Sequence, residues 1–74
     1  MHGWAVEVTF QYLDGTWAPA QLWYAAVSDK EAAQHLVRQR ANVSSSVKVE
    51  AKIQISENEL IGLKLSPNQA RQWI

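Results

Sequence analysis

From Val47 to Ile55 every odd position is apolar (Val47, Val49, Ala51, Ile53, Ile55) and every even one is polar (Lys48, Glu50, Lys52, Gln54). Period two with one wet face is the mark of a half-buried strand. A run this regular commits the chain to a sheet with something packed on one side of it. The same alternation opens the sequence, with Trp4, Val6, Val8, Phe10 and Tyr12 on one face and Glu7, Thr9 and Gln11 between them. Asp14-Gly15 then supplies the positive-φ chemistry of a tight reversal, and Trp17 to Val27 reads as a second strand.

The pairing of these two strands follows from which loop keeps their faces clean. A two-residue loop at Asp14-Gly15 sets Val8 opposite Gln21 and Glu7 opposite Leu22, which mixes apolar with polar. Adding Thr16 to the loop sets Val6 opposite Tyr24, Val8 opposite Leu22 and Phe10 opposite Ala20. Glu7, Thr9, Gln21 and Trp23 then share the other face. A slip of one residue exchanges the faces of a strand, so the cleaner partition is expected. Pro19 has no N–H to give a ladder, which makes the second strand an edge strand.

Ser28-Asp29-Lys30-Glu31 has the Ser-x-x-Glu pattern of a capping box. The helix it opens carries Ala33, Leu36, Val37 and Ala41 on one side and turns Gln34, His35, Arg38 and Gln39 away, ending near Asn42. A short polar loop, Asn42 to Ser46, leads into the third strand. Ser56-Glu57-Asn58-Glu59 repeats the capping pattern and predicts a short helix to Gly62. Ser66-Pro67-Asn68-Gln69, with proline at a first helical position, predicts another running to Trp73.

The expected fold class is α+β. It is a three-stranded antiparallel sheet of order 2-1-3, built as β-β-α-β, with one main helix on one face and two short C-terminal helices closing the core. With 74 residues, residues 1–74 read as a single small domain. The absence of cysteine excludes disulfides and thiolate metal sites, and no metal or other cofactor is expected. The first Lys or Arg is Lys30 and the longest apolar run is Leu22 to Val27, so neither a secretory leader nor a membrane span is expected and the chain reads as cytoplasmic.

Seven Lys and Arg against seven Asp and Glu exclude a strongly basic nucleic-acid binder. The basic excess between Lys30 and Lys52 is expected to split between two surfaces, with Arg38 and Arg40 complementing the dipole at the end of the helix. His2 is at the chain start and His35 is expected on the outward side of the helix, where a solvated side chain is the default, and no phosphate loop, His-x-x-x-His pair or nucleophile elbow occurs. The chain is therefore expected not to be an enzyme. The apolar tail residues Leu60, Ile61, Leu63, Leu65, Trp73 and Ile74 are expected to cap the core or meet a partner.

What remains is recognition. The preferred register turns Trp23 outward on an edge strand and leaves Trp17 beside the turn, and exposed large aromatics on a small domain mark contact surfaces. The expected function is a protein-interaction module that meets a partner, or a second copy of itself, through the edge strand, with Trp17, Gln21 and Trp23 in the contact. The competing expectation is weak single-stranded nucleic-acid binding on the open sheet face, carried by Lys48, Lys52 and Trp23.

Overall fold

The computed structural model describes residues 2–44 and 47–73. Ser45 and Ser46 of the polar loop, and Ile74 of the apolar tail, lie outside the described residues. The element order is β1 (Gly3–Thr9), β2 (Gln21–Ala25), α1 (Lys30–Ala41), β3 (Lys48–Ile55), α2 (Glu57–Gly62) and β4 (Ala70–Gln72). The fold is α+β with an antiparallel sheet, but the sheet has four strands in the order β3-β1-β2-β4. The first three strands keep the expected adjacency. The fourth replaces the second of the two short helices.

That replacement has a local cause. Pro67 and Asn68 are the middle of a type II turn, not the first turn of a helix: Gln69 N–H donates to the Ser66 carbonyl at 3.1 Å and Asn68 has φ 65°. Proline at the first central position and a left-handed residue at the second define that turn. The Gln69 side chain still reaches back to Ser66 N–H at 3.0 Å, as a capping box would, but the left-handed Asn68 stops any helix. The reversed chain pairs along β2, with Asn68 N–H donating to Ala26 O (3.0 Å) and Ala26 N–H to Gln69 O (2.8 Å).

The register of the first hairpin also departs from the expectation. Its loop has three residues, Leu13-Asp14-Gly15, closed by Tyr12 N–H to Thr16 O at 2.7 Å. Gly15 is left-handed at φ 91°, and Asp14 Oδ1 accepts from both Thr16 N–H and Thr16 Oγ1. Gln11 pairs with Trp17 near the tip, but Val8 pairs with Gln21 and Glu7 with Leu22 in the body of the hairpin. From Gln11 back to Val8 is three steps, while Trp17 to Gln21 is four. One extra residue is absorbed at Ala18-Pro19-Ala20, where proline offers no ladder donor, and it exchanges the two faces of everything beyond.

The consequence is a correction at Trp23, which is 8% exposed and lies in the core with Val6, Val8, Ala25, Ala33, Val37 and Ala51. Leu22 and Tyr24 take the face away from α1, half-buried against a second cluster of Ala5, Ala26, Ile55 and Leu60. Nor is β2 an edge strand: Trp23, Tyr24 and Ala25 pair with Gln72, Arg71 and Ala70. Pro19 constrained only the unpaired segment before β2.

Helix ends are set by side chains and left-handed residues. The cap of α1 is Asp29, one residue later than expected, and it accepts from Ala32 N–H at 2.9 Å. Ser28 instead presents its carbonyl to Trp4 Nε1 at 2.9 Å. Asn42, at φ 54°, closes the other end by donating to the Arg38 and Gln39 carbonyls. Arg38, expected to point away, donates to the carbonyls of Ser44 (2.7 Å) and Val47 (3.0 Å) and so holds the connection to β3. Ser56 caps α2 as expected.

Candidate functional site

Two sheet edges remain, and they differ. On β3, Glu50 is ion-paired to Lys52 at 3.0 Å and Lys48 at 3.5 Å, the strand is interrupted by a bulge opposite Ala5 and Val6, and Ala51 N–H donates to Gln34 Oε1 of α1 at 2.9 Å. Charges, a bulge and a covering side chain are the devices that keep an edge from pairing. The bond from Lys52, reinforced by its charge and that of Lys48, holds the Glu50 carboxyl below its ordinary value, and Glu50 correspondingly raises Lys52.

The β4 edge is bare. Trp73 N–H donates to Leu22 O at 2.7 Å and Gln69 O accepts from Ala26 N–H, so the odd residues of this segment face β2. Antiparallel alternation then points the N–H and C=O of Ala70 and Gln72 outward. No bond among the described residues occupies them.

The path of the chain builds a cleft beside this edge. Lys64, at φ 58°, ends α2 in a Schellman arrangement, with Lys64 N–H to Ile61 O at 3.0 Å and Leu65 N–H to Leu60 O at 3.1 Å. This folds Leu63 and Leu65 back onto the cluster around Leu60. The Trp73 ring meets Tyr24 edge to face, centroids 5.9 Å apart at 88°, while remaining 57% exposed. Tyr24, Leu63, Leu65, Arg71, Gln72 and Trp73 enclose a mainly apolar cleft of about 220 Å³. A second cleft of about 250 Å³, lined by Arg40, Leu65, Gln69, Ala70 and Arg71, adjoins it through Leu65 and Arg71. Arg71 is held in place by its bond to Leu63 O at 2.8 Å.

The residues expected from sequence to form one contact are separated. Trp17 is 56% exposed at the hairpin tip, beside exposed Tyr12 and Leu13. Gln21 is half-buried at the start of β2, and Trp23 lies beneath α1 with its Nε1–H buried and unpartnered. Lys48 and Lys52 lie together on β3, across the sheet from Trp23 and already paired to Glu50. The cleft residues Arg40, Arg71 and Trp73 were missed as a group because β4 was read as a helix. The Pro67-Asn68 turn signature was the available signal. Among the described residues no three His, Asp or Glu side chains are placed to share a metal ion, and no helix is long and apolar enough to cross a membrane. Comparison with protein-family models, with curated proteins and with solved structures finds no match to this chain.

Proposed function

We propose that the chain is a non-catalytic protein-interaction module that takes an extended segment of its partner along the edge of β4. The observation carrying this reading is the pairing of outward, unoccupied main-chain groups at Ala70 and Gln72 with an adjoining apolar cleft that holds a half-exposed Trp73. Strand addition draws affinity from main-chain bonds and selectivity from pockets for alternate side chains, and both parts stand side by side here.

The nucleic-acid expectation has less behind it. Its two lysines are already paired, and its aromatic lies under the helix on the other side of the sheet. The test is a titration of the ¹⁵N-labelled full chain with a seven-residue peptide of alternating valine and threonine. Shifts and slowed amide exchange at Ala70 and Gln72, together with a shift of the Trp73 indole, are expected. Shifts centred on Trp17, Tyr12 and Leu13 would move the contact to the hairpin tip, and shifts along β3 would overturn the edge assignment.

A further inference from the structure

We infer that the segment taken by β4 is acidic, with two adjacent carboxylates followed on one face by a large apolar residue; this rests on the strand-addition reading above. Most cations of the chain are already engaged: Lys48 and Lys52 on Glu50, Arg38 on two carbonyls, and Lys30 over the Trp4 ring at 5.9 Å. Arg40 and Arg71 are different. They converge on one cleft beside the open edge, and neither has a carboxylate partner among the described residues.

Each arginine stands on its own side of that edge. Arg40 comes from the last turn of α1, on the helix side of the sheet. Arg71 lies opposite Tyr24, on the face away from α1. Successive residues of an added strand point to opposite faces, so two neighbouring acidic residues reach the two guanidiniums from the two sides. Arg71 spends one N–H on Leu63 O, which fixes its plane and leaves the rest of its donor fork for a carboxylate. Two residues along on the Arg71 side, the added strand meets the cleft of Tyr24, Leu63, Leu65 and Trp73. A second copy of this chain does not suit the edge, because β4 against β4 sets the same arginines near one another and like charges across a strand pair repel.

The experiment uses the full chain and three fluorescent seven-residue peptides that differ only at two adjacent central positions, Glu-Glu, Gln-Gln or Lys-Lys, with leucine two residues after the first of them. The Glu-Glu peptide is expected to bind about tenfold more tightly than the Gln-Gln peptide, the Lys-Lys peptide weakest, with the preference shrinking as salt is raised. Arg40→Gln, at an exposed site with no hydrogen bond or ion pair among the described residues, is expected to remove most of that preference while leaving the Gln-Gln peptide unaffected; Arg71→Lys, which keeps the charge but not the fork, is expected to reduce it. Equal binding of all three peptides overturns the acidic inference and leaves the strand-addition reading standing. Binding of none overturns both. Displacement of the Glu-Glu peptide by millimolar inorganic phosphate, without change at the Ala70 and Gln72 amides, shows a simple anion site and overturns the acidic-strand assignment.

Discussion

Replacing Trp23 with alanine tests the register of β2, on which the position of every later element depends. The indole is 8% exposed between β2 and α1. Truncating a buried tryptophan costs about 3–5 kcal/mol. Against this, the native indole N–H is buried without a partner, a penalty of about 1–3 kcal/mol that the substitution relieves. From the centres of these ranges the expected net loss is about 2 kcal/mol. A chain of this length is stable by about 4–11 kcal/mol, so Trp23→Ala takes a large share of it. With a urea slope of about 1 kcal/mol/M for a small domain, the unfolding midpoint followed by circular dichroism falls by roughly 2 M. Trp17→Ala, at a site 56% exposed, shifts it by no more than about 0.5 M. Trp23→Phe keeps one ring and discards the orphaned donor, and stays within about 1 kcal/mol of the parent. A Trp23→Ala midpoint within about 0.5 M of the parent refutes the buried register.

Asp29→Ala costs about 0.5–2 kcal/mol in a denaturant melt, because it leaves Ala32 N–H uncapped, whereas Ser28→Ala stays within about 0.5 kcal/mol. Leu60→Ala, at a site 3% exposed, costs about 2–5 kcal/mol, while Ile61→Ala, 67% exposed, changes thermal stability little. Glu50 titrates below its ordinary value of 4.5 because Lys52 bonds it and both lysines attract it. A lowered carboxyl adds stability that is full above the ordinary value and lost as pH falls through the lowered one. Glu50→Gln therefore flattens the acid side of the stability profile, and an NMR titration midpoint for Glu50 at or above 4.5 contradicts the pairing.

What the sequence disclosed was whatever depends on local periodicity. The alternation at Trp4–Val8, the amphipathic stripe of Ala33 and Val37, the helix end near Asn42 and the Ser56 cap all reappear in the structure, whereas the expected single apolar face of Val47–Ile55 holds only as far as Ala51: the bulge opposite Ala5 and Val6 sends Ile55 to the second cluster and leaves Ile53 64% exposed. What escaped was whatever depends on a count of one. The extra residue at Ala18-Pro19-Ala20 leaves no mark on the alternation of either strand, yet it turns Trp23 inward and Tyr24 outward. The Ser66-Pro67-Asn68-Gln69 pattern satisfies both a helix start and a type II turn. The left-handed φ of Asn68 marks the turn, and it goes with the pairing of this segment to Ala26, which lies forty-two positions earlier in the chain. The candidate contact was hidden for the same reason: Arg40 and Arg71 are thirty-one positions apart and meet only once β4 is a strand.

The bond from Ala51 N–H to the Gln34 side chain has a bearing on how copies of this molecule can associate. Growth of an edge-to-edge fibre needs two receptive edges on every subunit, one to accept and one to offer. Here one edge is occupied from within by the protein's own helix and fenced by Lys48, Glu50 and Lys52. Addition of a strand at the other edge therefore ends the assembly instead of propagating it. A sheet that stays sticky on one side only is a chain terminator, and a concentrated solution of it remains clear where a doubly open sheet would gel.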